Sequence, residues 1–128
     1  MGTGWIAIDK TLPYKPEIAT LCKKLSITRE KAVMGCILVW AWADEITTDG
    51  NLGEQRLEDV DFIAHIDGFG RTMRDVGWLV ERDGLLSIPN FHRWNSKSAK
   101  ARIQAARRQA LCRDRRRGSS ATEVTQRA

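Results

Sequence analysis

The run from Ser96 to Arg117 holds nine lysines or arginines (Lys97, Lys100, Arg102, Arg107, Arg108, Arg113, Arg115, Arg116, Arg117) against one acid, Asp114, a local net charge of +8. So concentrated a charge cannot be folded into a core, so the apolar interior must come from the first 95 residues. Those residues carry 11 basic and 14 acidic side chains, and the chain's overall excess of +5 therefore lies beyond them. A near-neutral body joined to a basic segment points first to an anionic partner, with phosphate backbones the leading class.

A chain of 128 residues with 42% hydrophobic content supports one modest domain with a small core. The three cysteines, Cys22, Cys36 and Cys112, are odd in number and lack C-x-x-C spacing, so they suggest neither a disulfide framework nor a zinc finger. Cys36 lies inside an apolar run and reads as a small core residue rather than a nucleophile. Met1-Gly2-Thr3-Gly4-Trp5 lacks the basic and apolar regions of a secretion signal, and the longest apolar stretch, Val33 to Ala43, is too short to span a bilayer. The expectation is a cytoplasmic protein that makes no use of a membrane.

Along the body, Trp5-Ile6-Ala7-Ile8 suggests a short strand at a sheet edge, ended by the turn formers Lys10-Thr11-Leu12-Pro13. Pro16 suits the first turn of a helix, and Ile18, Leu21, Cys22 and Leu25 recur at helical spacing, which predicts an amphipathic helix over 16–25. Thr28 is an N-cap candidate for a second helix. In it Val33, Cys36, Ile37, Trp40 and Ala41 trace one stripe, while Met34, Leu38, Val39 and Trp42 fill much of the other side. This central helix should stop near Glu45 or Ile46, before the turn-rich Thr47-Thr48-Asp49-Gly50-Asn51.

Leu57, Val60, Phe62, Ile63, Ala64 and Ile66 predict a helix over about 54–66, closed by Asp67-Gly68-Phe69-Gly70. A short helix from Arg71 to Val76 follows, with Gly77 as its stop. The runs Trp78–Glu81 and Leu85–Ile88 flank Arg82-Asp83-Gly84, a strong local hairpin signal. Helix, turn, helix and hairpin is the order of a winged helix-turn-helix, with 71–77 as the groove helix and 78–88 as the wing. The same order also fits a small helical domain with an ordinary hairpin.

Several blocks bear a resemblance. Trp5-Ile6-Ala7-Ile8-Asp9, Leu38 to Asp44, Thr48 to Leu52, Val76 to Leu79, and Gly84 to Phe91 leading into Asn95 to Lys100 stand in the order found in one family. The chain resembles the N-terminal, winged-helix-like domain of bacteriophage and prophage replication proteins of the replisome-organiser or replication-initiator type. Trp94 stands where members of that type often have His beside the Asn. The resemblance implies a DNA-binding protein of phage replication, working in the bacterial cytoplasm on double-stranded DNA with host or phage replication proteins.

The resulting expectation is a mainly α protein with a small β-hairpin (α+β): a winged helix-turn-helix over 1–95, a basic helical extension over 96–117, and a disordered tail over 118–128. Ser96 is an acceptable N-cap and 97–117 is rich in Ala, Lys, Arg and Gln without Pro or Gly, so helix propensity is high. At about 100° per residue, Lys97, Lys100, Arg107, Arg108 and Arg115 share one broad side, while Ala99, Ile103, Ala106 and Ala110 share another. The basic side suits a phosphate rail, and the small apolar side suits the body or a second copy of the chain; a solvated charge run is the alternative.

Base contacts would fall to Arg71, Thr72 and Arg74 on the groove helix. Arg82 at the hairpin tip, with His92 and Arg93 just beyond the hairpin, are candidates for backbone or minor-groove contacts. Glu54, Glu58, Asp59, Asp61 and Asp67 crowd the preceding helix, so they must point away from DNA or face a basic protein partner. That second option keeps open a small interaction or transcription-regulatory protein whose acidic body binds another protein. The acids and the two histidines have no metal-ligand spacing, and Gly68-Phe69-Gly70 lacks the Lys-Ser/Thr of a phosphate loop, so no enzyme, metal or cofactor is expected. Trp40, Trp42 and Trp78 read as packing anchors, Trp5 and Trp94 as closures of the domain, and Trp94 also as a candidate base-stacking side chain.

Overall fold

Two local signals start the helical body. Pro16 opens helix α1 (Pro16–Leu25) just after a 3-10 turn at Leu12–Tyr14, and Ser26, in a left-handed conformation, ends it. The Thr28 hydroxyl accepts the Lys31 N–H at 3.2 Å and caps helix α2 (Arg29–Ile46). The computed structural model describes the backbone of residues 4–91 and 97–127 and the side chains of residues 4–91 and 99–116. The chain divides into two units, Met1–Ser96 and Lys97–Ala128.

In the first unit, α2 is followed by strand β1 (Asn51–Gly53), helix α3 (Leu57–Ala64), helix α4 (Phe69–Asp75), and strands β2 (Val80–Arg82) and β3 (Leu85–Ser87). The result is a mainly helical α+β unit with a small antiparallel sheet in the order β1-β3-β2. Asp83 and Gly84 both have positive φ, 54° and 77°, which gives the two-residue turn whose twist matches a hairpin. Arg82 pairs with Leu85, Glu81 with Leu86 and Val80 with Ser87.

The third strand is not where the sequence suggests. Trp5–Ile8 forms no strand; Asn51–Gly53 instead pairs with β3 through Asn51–Ser87 and Gly53–Leu86, across an irregularity in register. Asn51–Gly53 pairs with β3 and Gly53 turns the chain at a φ of 69°, so α3 does not begin at 54. It starts at Leu57, where the Arg56 N–H donates to Asp59 Oδ2 at 2.8 Å, and ends at His65, whose φ of 61° is left-handed.

Phe69, Leu12, Ile18, Leu21, Met73, Leu79, Leu86, Val39, Val60 and Cys36 form the fully buried centre. On α2 the buried stripe is Ala32, Gly35, Cys36, Val39 and Ala43, one step round from the stripe expected; Trp40 and Trp42 flank it half-buried, and Met34 is exposed. Trp40 and Trp78 do anchor helix to hairpin, their rings 5.8 Å apart and tilted by 48°. Burial pushes the Cys36 thiol up to about 12, which makes it inert packing, as expected.

The second unit is one helix, α5 (Lys97–Arg127). Gly118 does not interrupt it, and Ala121, Glu123 and Gln126 are good helix formers. No helix among the described residues is long and apolar enough to cross a membrane.

Candidate nucleic-acid interface

Helix α4 is short, and its charge is mostly spoken for. Its sequence, Phe-Gly-Arg-Thr-Met-Arg-Asp, buries Phe69, Gly70, Thr72 and Met73, which leaves Arg71, Arg74 and Asp75 to face outward. Thr72 is therefore corrected: only 4% exposed, its hydroxyl donates to the Gly68 carbonyl at 2.9 Å. A side chain turned into the core and bonded to its own helix cannot meet a thymine methyl.

Arg74 is half-buried and paired. Its guanidinium lies 3.2 Å from Glu81 on β2 and 3.8 Å from Asp75, and Asp75 also lies 3.4 Å from Lys24 on α1. These pairs tie α1, α4 and β2 together, and they leave Arg71 as the exposed α4 cation without an ion pair among the described residues. Arg82 is exposed beside the hairpin turn, where a backbone contact is open to it. His92 and Arg93, together with Trp94, lie outside the described residues.

The N-terminus of α4 is occupied by the chain itself. Asp61 Oδ2 accepts the Gly68 N–H at 2.9 Å and Asp61 Oδ1 accepts the Gly70 N–H at 2.7 Å. A helix start of this kind otherwise attracts phosphate; here a carboxylate already satisfies it. Asp59 is likewise engaged at the start of α3, so two of the five acids that seemed to crowd the interface serve the backbone. Glu54, Glu58, Asp59 and Asp67 are exposed and Asp61 is half-buried.

The strong field lies on α5. Arg102, Arg107, Arg108, Arg113, Arg115 and Arg116 are all exposed, with Asp114 the one acid among the described side chains of this helix. Lys100 departs from its expected role: it is 3% exposed and already engaged, so it is not presented to solvent phosphate. Lys97 and Arg117 lie on the helix, but their side chains are outside the described set. Of the small apolar side, Ala99 is buried and Ile103 half-buried, while Ala106 and Ala110 are exposed.

Sequence reasoning missed the outer face of α3. Phe62, expected as part of the apolar pattern of its helix, is 78% exposed, whereas Val60 and Ala64 are buried. Its neighbours at i−4 and i−3, Glu58 and Asp59, already mark that side of the helix as the wet one. A separate cavity of about 280 Å³ on the body is walled by Trp40, Trp78, Ile88 and Phe91, with Asp9 and Lys15, themselves 3.5 Å apart, among its lining residues. Among the described residues no three His, Cys, Asp or Glu side chains gather as a metal site would require. No family model, curated protein or solved structure matches the chain.

Proposed function

We propose that this is a DNA-binding protein of phage or prophage replication, gripping duplex DNA through an arginine-rich helix and a winged-helix body. The observation that carries the reading is the set of six exposed arginines along α5 with a single acid among them. Such a surface binds phosphate with little regard to base sequence, because each arginine gains by releasing condensed counterions rather than by reading a base edge.

The body supports the reading through its order. Helix α2, β1, helices α3 and α4, then the β2–β3 hairpin, with β1 on β3, fits the succession of a winged helix-turn-helix; on this reading α4 is the groove helix and β2–β3 the wing. Arg71 is the candidate base reader and Arg82 the candidate wing contact. With Thr72 in the core and Arg74 paired, α4 offers few side chains for base reading, so affinity rests on α5. The phage replication context rests on the ordered blocks that run from Trp5 to Lys100.

Fluorescence anisotropy on a labelled duplex at about 50 and about 200 mM salt tests the reading. Six phosphate contacts give a log–log salt slope of roughly −5, and replacing Arg107, Arg108 and Arg115 together with Ala should flatten it by about 3. Absence of binding at the lower salt, or a slope unchanged by the triple substitution, would overturn it.

A further inference from the structure

Phe62 is the most exposed large apolar side chain of the body among the described residues, at 78%. It stands on the outer face of α3, whose inner face buries Val60 and Ala64. One turn before it on the same side are the exposed carboxylates Glu58 and Asp59, and one turn after it is His65, its ring 6.5 Å from that of Phe62. The face is an aromatic knob bordered by negative charge.

Helix α5 carries the complement. Leu111 is 47% exposed, and Arg107, Arg108 and Arg115 stand at i−4, i−3 and i+4 from it, all exposed. At about 100° per residue these four fall within one side of the helix. It is an aliphatic knob bordered by guanidinium groups, opposite in sign to the border of Phe62.

We propose that the Phe62 face of α3 docks the Leu111 face of α5 from a second copy of this chain. Leu111 then covers Phe62, the guanidinium groups meet Glu58 and Asp59, and an arginine lies over the aromatic ring. Charge complementarity selects the occupant. A contact of one aromatic, one leucine and a few exposed ion pairs is well below the area of a permanent dimer, so the association is weak, concentration-dependent and salt-sensitive. It does not depend on the nucleic-acid reading, since association is measured without DNA.

Sedimentation of the full chain over a range of concentrations, at low and at high salt, is the first test. Association at about 50 mM salt that disappears near 500 mM is expected. F62S and L111S should each weaken it at least tenfold, and E58R should do the same without touching the apolar pair. An equimolar mixture of F62S and L111S should regain association, because one copy keeps the arginine face and the other keeps the aromatic face. Phe62, Glu58 and Leu111 are all exposed, so these variants keep the wild-type melting curve. A monomer at every concentration in low salt overturns the proposal. So does F62S that associates like wild type, a sign of α5 pairing with itself, or a mixture that fails to recover association.

Discussion

Asp61 and Gly70 are joined by a hydrogen bond of 2.7 Å, from the backbone N–H at the start of α4 to a carboxylate on α3. The other oxygen of the same carboxylate takes the Gly68 N–H at 2.9 Å. One side chain thereby satisfies two donors that a helix start leaves open, and it fixes the angle at which α4 leaves α3. Under the winged-helix reading this angle sets how α4 meets DNA, and Asp61, an acid, then supports the proposed interface through the backbone.

Removing that support should be costly. Asp61→Ala leaves two half-buried N–H groups without their acceptor, worth about 1–3 kcal/mol and, for a body of this size, a fall in thermal midpoint of several degrees. Asp61→Asn keeps one acceptor oxygen and should lose about half as much. Thermal unfolding followed by circular dichroism measures both. If Asp61→Ala melts within about a degree of wild type, the carboxylate does not hold α4.

Glycine at 70 is a matter of space. A Cβ there would overlap the Leu57 carbonyl, part of the backbone of α3. At Gly35 on α2 a Cβ would come within 2.7 Å of the Phe69 ring. Alanine ordinarily stabilises a helix interior by about 1 kcal/mol over glycine, but overpacking costs about 1–3 kcal/mol and outweighs it at both sites. Both Gly70→Ala and Gly35→Ala should lower the urea midpoint, the former more, because a carbonyl in a helix cannot turn aside as a ring can. A raised midpoint for either would mean that the helices are less closely packed.

The parts of the fold that were legible from sequence are those fixed by near neighbours. Pro16, Thr28 and Asp83-Gly84 act within a few residues, and α1, α2 and the hairpin turn fall where they indicate. Strand β1 was not legible, because Asn51–Gly53 has no apolar alternation and becomes a strand only by pairing with Ser87 and Leu86. The candidate site divides the same way. The arginine run on α5 is a property of composition, but the burial of Thr72 and the pairing of Arg74 with Glu81 depend on how α4 is turned against the rest of the body. Phe62 was misread because a string of apolar residues hid the two acids one turn before it.

The turn after α2 makes the body sensitive to acid. Asp49 accepts the Asn51 N–H and the Thr47 hydroxyl, both at 2.9 Å, and these bonds, the backbone one foremost, hold its carboxyl below the ordinary value of 3.8. Asp9 is held down in the same way, first by the Thr11 hydroxyl. A carboxyl whose folded pKa is depressed favours the folded state fully above its unfolded pKa, and loses that contribution as pH falls through the folded one. Stability should therefore be level near neutrality and drop below about pH 4. Asp49→Asn should be less stable than wild type at neutral pH and converge on it in acid. Urea midpoints at several pH values would show the convergence; a constant gap would mean that the side chain's charge plays no part.

Arg71 and Arg74 are both arginines on α4, and the structure separates them. Arg74 is held by Glu81 and Asp75, so a phosphate or base must compete with two carboxylates for it; Arg71 has no ion pair among the described residues. Under the DNA-binding reading, Arg71→Ala should weaken binding by about tenfold, within the range of a single good arginine contact, and should reduce discrimination between duplex sequences. Arg74→Ala should change affinity by less than about threefold and stability by less than about 1 kcal/mol, since the two ion pairs it removes are open to solvent. Glu81→Gln supplies the control: it removes the nearer of Arg74's two carboxylate partners and leaves Asp75, so binding should tighten, and tighten more at low salt. Anisotropy titrations of the three variants against two unrelated duplexes measure all of these effects. If Arg74→Ala proves the more damaging substitution, its pairs with Glu81 and Asp75 must open on DNA, and α4 meets the duplex by a different face.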